Sequence, residues 1–299
     1  MTMIEHICFK GCGTALLTPF KNGGAEVDYD AVASLVDRQV AAGMHFLVPL
    51  GTTGETPCLT EQERITILQI TREHAAGRKV LVGGGTNSLA QTLASIKTLE
   101  PYGPDAFLVV VPYYNKPTQK GLLEYFKAVA GSTDKDIVLY NVPGRTGANI
   151  EAETTLRLAE EVENIVAVKE ASGRYNQIAQ IIRNRPAGFS VLSGNDDEVL
   201  SLMATGADGV ISVASNVDPA RMVQLVEALQ KDDMKTAREL HYKLMPLFKS
   251  CFAESNPIPA KAALAQMGLM ENTLRLPLCP ASSATEALVR RTLEEIGLV

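Results

Sequence analysis

Ile137-Val-Leu-Tyr-Asn-Val-Pro-Gly-Arg-Thr-Gly147, then Ala152-Glu-Thr-Thr-Leu-Arg-Leu-Ala-Glu-Glu161, then Ile165-Val-Ala-Val-Lys-Glu-Ala-Ser172: this stretch shows how the chain is built. Two short runs, apolar almost throughout, flank a segment of helical period. A strand with one wet face alternates apolar and polar residues, whereas a strand covered on both faces is apolar along its length. Both runs are of the second kind, so the unit predicts two parallel strands joined by a helical crossover. Thr14–Leu17, His45–Leu50, Val80–Val82, Ala106–Val111, Phe189–Leu192 and Gly209–Val213 have the same character, and most are followed by Gly, Pro, Ser, Thr or Asn.

Helical segments lie between the runs. One opens at Asp28, a plausible cap, and carries Val32, Leu35, Val36 and Val40 on one stripe. Another opens at Thr60, which with Glu63 makes a capping box. Gly121–Ala130, Ala152–Glu161, Tyr175–Arg183 and Asp196–Thr205 continue the series, and the eighth helix is expected at Pro219–Gln230. Eight strands alternating with eight helices predict an α/β fold of the (β/α)8 TIM-barrel class over residues 1–230. Asp232–Cys251, Pro259–Met267 and Ala281–Ile296 then predict a C-terminal helical extension, residues 231–299. A dinucleotide-binding sheet is the competing fold. Gly83-Gly84-Gly85 lacks the third glycine its fingerprint requires, so close backbone approach is the better use of those residues.

Composition narrows the function. The 299 residues are 46% apolar and 21% charged, with a net charge of −6. Lys and Arg form no basic patch, so neither nucleic acid nor an anionic membrane is the expected partner; a small molecule is. The five cysteines (Cys8, Cys12, Cys58, Cys251, Cys279) have no disulfide or zinc spacing and read as reduced thiols. Met1–Lys10 has no long apolar run behind a basic segment, and no stretch approaches the ~18 apolar residues of a spanning helix. A cytoplasmic location is expected.

In a barrel of this class the chemistry gathers where strands end. Lys169 closes the run Ile165–Val168. On such a strand an ammonium is stripped of water, which favours the neutral, nucleophilic amine that Schiff-base chemistry needs. A buried lysine paired with a carboxylate fits the position equally well. Tyr140 ends the preceding strand and can pass protons to a neighbouring lysine, while Arg145 in the next loop can hold a carboxylate bidentately. A core tyrosine and a solvated arginine are the alternatives. Gly51-Thr-Thr-Gly-Glu55 lets backbone and hydroxyls approach a small carboxylate, and Pro112-Tyr-Tyr-Asn115 and Ser193-Gly-Asn-Asp196 end two more strands. The four histidines show no metal or nucleophile spacing.

Together, Gly51–Glu55, Pro112–Asn115, Tyr140–Gly147, Val168–Ser172, Leu192–Gly194, Gly209–Ser212 and Asn256–Pro259 occur in an order that resembles the dihydrodipicolinate synthases, of the pyruvate-dependent Schiff-base lyase/synthase superfamily. The resemblance runs from Thr14-Ala-Leu-Leu-Thr-Pro19 to the C-terminal helices. It implies that Lys169 condenses with pyruvate, that Tyr140 shuttles protons, and that Thr52 links Tyr140 to Tyr114 in a hydroxyl relay. It implies that Thr53 binds the pyruvate carboxylate, that the Gly194 and Ile211 carbonyls line the pocket, and that Arg145 holds the carboxylate of L-aspartate 4-semialdehyde. It further implies Tyr114 crossing to a neighbouring subunit in a dimer of dimers, and no metal or organic cofactor.

Arg145 separates this reading from N-acetylneuraminate lyases and 2-keto-3-deoxy sugar acid aldolases, whose second substrate bears no carboxylate there. A charged hydrogen bond contributes roughly 1.5–3 kcal/mol, enough for about tenfold selectivity. A non-catalytic ligand-binding barrel would have no use for the complete relay. One departure stands out. Lysine-inhibited members carry histidines and a glutamate where this chain has Glu61, Arg64 and Gln91, so weak or absent lysine feedback is expected.

Overall fold

The computed structural model describes residues 6–299, so the part of the N-terminal expectation that falls on Met1–Glu5 lies outside it. Eight parallel strands form a closed barrel: β1 (Gly11–Ala15), β2 (Phe46–Val48), β3 (Lys79–Gly83), β4 (Ala106–Val110), β5 (Asp136–Asn141), β6 (Ile165–Glu170), β7 (Ser190–Ser193) and β8 (Gly209–Ser212). The crossover helices are α1 (Tyr29–Ala41), α2 (Glu61–His74), α3 (Leu89–Leu99), α4 (Gln119–Ala130), α5 (Ala152–Glu161), α6 (Tyr175–Asn184), α7 (Val199–Thr205) and α8 (Pro219–Gln230). After them come only helices: α9 (Met234–Cys251), α10 (Ile258–Gln266) and α11 (Ser283–Ile296). None is long and apolar enough to cross a membrane among the described residues.

The caps fall where the sequence places them. The Asp28 carboxylate accepts the Ala31 N–H at the start of α1. Thr60 and Glu63 satisfy each other's backbone N–H groups, as a capping box requires. The crossover between Val82 and Ala106, whose helix is expected from the alternation but given no bounds, holds α3 behind a Ser88 cap.

Strand β1 departs from expectation. It runs over Gly11–Ala15 rather than Thr14–Leu17, because Gly11 and Gly13 belong to the strand instead of ending it. A Cβ on Gly13 would lie 2.1 Å from the Phe46 ring, so the glycine admits an aromatic side chain from the paired strand. The loop after β1 also forms a small antiparallel hairpin, Phe20–Lys21 with Glu26–Val27. The glycines after β3 behave as read: a Cβ on Gly85 would meet the Val110 nitrogen at 2.6 Å.

By its internal packing the chain groups into two compact units: the segment through Lys10 with Leu81–Val210, and Gly11–Val80 with Ile211–Val299. In the first, β5 and β6 are buried along their whole length, the signature of strands covered on both faces. Asp136, the first residue of β5, accepts from the Ile7 N–H and pairs with His6, each at 2.7 Å. That carboxylate raises the pKa of the His6 imidazole. In the second unit, the C-terminal helices pack against α8 and one another. All five cysteines carry free thiols.

Candidate active site

The site is best built from the register of β5 and β6, where Tyr140 pairs with Lys169 and Asn141 with Glu170. Successive side chains on a strand point to opposite faces. The pairing therefore puts Tyr140 beside Lys169 on one face, and Asn141 beside Glu170 on the other. Lys169 is 6% exposed, and its Nζ lies over the Tyr140 ring at 4.3 Å from the centroid. Among the described residues, Lys169 makes no ion pair. The carboxylate partner that position alone left open is not among its contacts in the described residues.

Gly194, in the turn after β7, completes this arrangement within the same unit. Its N–H donates to the Glu170 carbonyl at 2.6 Å, extending the sheet by one bond. A Cβ added there would lie 3.1 Å from Lys169 Cε and 2.6 Å from the Ala171 Cβ. The residue is glycine because a side chain there would collide with the Ala171 Cβ and also crowd the Glu170 carbonyl and the lysine stem.

On the opposite face, Glu170 is fully buried. Its carboxylate accepts hydrogen bonds from Ser172 Oγ at 2.6 Å, Asn141 Nδ2 at 2.9 Å and Gln177 Nε2 at 3.1 Å. Burial pushes its pKa upward, and the three donors partly oppose that shift. Asn141 also bonds Asn149 and the Ile150 backbone, so the cluster ties β5, β6 and α6 together. Sequence reading included Asn141 and Glu170 in its motifs without giving either a role, and it missed Gln177. The signal was present, since polar side chains at the ends of otherwise apolar strands must find partners.

Arg145 is exposed on the single helical turn Pro143–Thr146 that follows β5. Tyr114 is 88% exposed and has φ of 71°, a left-handed conformation uncommon outside glycine. Its N–H donates to the Thr146 carbonyl, which anchors the tyrosine loop to the arginine turn.

The other predicted residues lie in the second unit. Thr52 is exposed and Thr53 buried on the turn after β2, and Ile211 is buried in β8. Thr53 Oγ1 accepts from Asn256 Nδ2 at 3.0 Å. Glu55, in a left-handed conformation at the end of that turn, forms a fully buried ion pair with Lys261 of α10. The Lys261 ammonium also stands 4.1 Å from the Phe20 ring centroid and donates to the Thr273 carbonyl. Burial pushes its pKa down to about 8, with the Glu55 carboxylate pulling it back up. The C-terminal extension thus holds this turn through two side chains, Asn256 from a connecting loop and Lys261 from α10. Asn256 belongs to a motif read from sequence, whereas Lys261 was not singled out.

The sequence profile described as the dihydrodipicolinate synthetase family matches residues 8–296. This chain belongs to the dihydrodipicolinate synthetase family. Within the family, it is 48% identical over 295 residues to the 4-hydroxy-tetrahydrodipicolinate synthase of Thermotoga petrophila, covering 97% of this chain and 100% of that one. The crystal structure of the Thermotoga maritima dihydrodipicolinate synthase superposes with a TM-score of 0.96 at 47% identity, over 98% of this chain and 100% of that one. The chloride-inhibited dihydrodipicolinate synthase of Acinetobacter baumannii, solved in complex with pyruvate, matches with a TM-score of 0.93 at 37% identity, over 97% and 99% of the two chains. The family's barrel with C-terminal helices is the fold seen here.

Proposed function

We infer that this chain condenses pyruvate with L-aspartate 4-semialdehyde to give 4-hydroxy-tetrahydrodipicolinate, a step of lysine and diaminopimelate biosynthesis. The observation that carries the reading is Lys169: buried, without an ion pair among the described residues, and stacked on Tyr140 at 4.3 Å. Full-length similarity to 4-hydroxy-tetrahydrodipicolinate synthases supports it over the sugar-acid aldolases and over a binding barrel.

In this reading the Lys169 amine adds to the pyruvate ketone, and loss of water leaves an imine. The imine withdraws electrons, so a methyl proton departs and an enamine forms. The enamine carbon attacks the aldehyde of the second substrate. The substrate's own amine then displaces Lys169 by transimination, which closes the ring and frees the enzyme. Tyr140 passes protons at the imine-forming steps, with Thr52 and Tyr114 completing the relay. Thr53 and nearby backbone N–H groups bind the pyruvate carboxylate, the Gly194 and Ile211 carbonyls line the pocket, and Arg145 binds the semialdehyde carboxylate. The exposure of Tyr114 supports its reaching a second subunit, in a dimer of dimers. Residues 1–230 act as the catalytic barrel and 231–299 as a helical extension, in the cytoplasm and with no cofactor.

Borohydride reduction in the presence of pyruvate tests the chemistry. A stable adduct on Lys169 is expected, and Lys169→Ala should abolish both adduct and turnover. A coupled assay with aspartate semialdehyde tests the substrate: Arg145→Ala should lose selectivity for it more than the ability to trap pyruvate. Equal turnover of polyol aldehydes by the unaltered enzyme would favour a sugar-acid aldolase instead.

A further inference from the structure

Behind the Tyr140–Lys169 pair lies a buried cluster to which the proposed chemistry assigns nothing. Glu170 is a carboxylate out of contact with water and, among the described residues, without a cation. A buried ionisable group that only accepts from neutral donors adds little to stability and is costly to desolvate. Its position offers a different use. Asn141 and Glu170 pair directly across β5 and β6, one residue beyond Tyr140 and Lys169 in the same register. The side-chain bond between them, 2.9 Å, therefore links the two strand ends beside the residues that must react. The Glu170 backbone carbonyl meanwhile accepts from Gly194, whose Cα faces the Lys169 stem.

We propose that Glu170 is a positioning residue: through Asn141, its carboxylate locks the ends of β5 and β6 in register and so holds the Lys169 amine against Tyr140. Beyond the irregularity between Ile137 and Val138 the strands pair regularly from Val138–Ala167 to Asn141–Glu170, and the Ala171 N–H donates to the Asn141 carbonyl at 2.8 Å. The Asn141–Glu170 bond adds a side-chain tether to this backbone ladder at its last pair, on the face opposite Tyr140 and Lys169. Ser172 and Gln177 fix the carboxylate from the loop and from α6. Asn141 is in turn braced by Asn149. Such support matters because a displacement of about 1 Å in a reacting group can cost on the order of a hundredfold in rate.

This inference rests on the Schiff-base reading of Lys169, and one experiment separates the two. The rate of borohydride-trapped pyruvate adduct on Lys169 is measured at saturating pyruvate for the unaltered chain, Glu170→Ala, Asn141→Ala, their double variant and Glu170→Gln. Each rate is normalised to the folded fraction from circular dichroism. Absence of any adduct in the unaltered chain would refute the Schiff-base reading itself. If the adduct forms, each single alanine variant should slow it on the order of tenfold to a hundredfold. The half-saturating pyruvate concentration should change by less than about threefold, since alignment rather than binding is lost. The double variant should be no slower than the slower single one, because both changes break one link. Glu170→Gln keeps an acceptor oxygen and should recover part of the rate. A folded Glu170→Ala protein that traps pyruvate at the unaltered rate would overturn the proposal, as would multiplicative losses in the double variant. Should Glu170→Ala not fold, Asn141→Ala decides the matter by the same outcomes.

Discussion

Lys169 and Glu170 are adjacent in sequence and opposite in environment: one faces Tyr140, the other three neutral donors. Burial raises the Glu170 pKa above the ordinary 4.5. Over the window that opens at 4.5, the folded chain holds a proton that the unfolded chain has released, so folding is favoured below that window and loses stability as pH climbs through it. Glu170→Gln removes this titration. The decline in melting temperature as pH climbs above 4.5 should therefore be shallower in that variant, as read by thermal unfolding at a series of pH values. Identical slopes would mean that Glu170 is not the titrating group. Lys169 itself was legible because a lysine at the end of an apolar run is conspicuous. The role of Gly194 as the surface on which the lysine lies was not, since a Ser-Gly-Asn turn reads as an ordinary helix start.

At the scale of elements, local chemistry set most boundaries. Thr60 caps α2 with both bonds of a capping box, so Thr60→Ala should destabilise the chain by about 1 kcal/mol in urea denaturation. A loss within error of zero would show that water replaces the cap at no cost. Strand β1 shows where local reading stops. Gly11 and Gly13 look like breakers, and their place in a strand is explained by the His45 ring and a φ of 89° at Gly11 and by the Phe46 ring packed across Gly13. Helix α3 was counted among the eight without a start of its own, because the glycine-rich segment before it hides the cap that Ser88 supplies.

For the molecule as a whole, the Glu55–Lys261 pair ties the turn after β2 to α10 with both side chains fully buried. Removing one member leaves the other charge stranded. Lys261→Met should therefore cost about 3–5 kcal/mol of unfolding free energy, much of it recovered when Glu55→Leu is added. Additive losses in chemical denaturation would contradict that coupling. Regulation also belongs at this scale. Glu61 and Gln91 are exposed and Arg64 is half-buried, and an amide, Gln91, stands where the resemblance implies a glutamate for the effector's ammonium. Steady-state assays should show no half-inhibition at micromolar L-lysine; finding it would sink the expectation.

Periodicity alone determined that this chain forms a parallel barrel followed by helices, because burial on both faces demands runs of apolar residues and each crossover demands a helical stripe. The same local logic placed a lysine, a tyrosine and an arginine at strand ends. Tertiary structure decided what each polar side chain does there. Asn141 meets Glu170 across 29 residues, and Thr53 meets Asn256 across 203. The first pair is chosen by strand register and the second by the packing of the C-terminal extension, and no local pattern encodes either one.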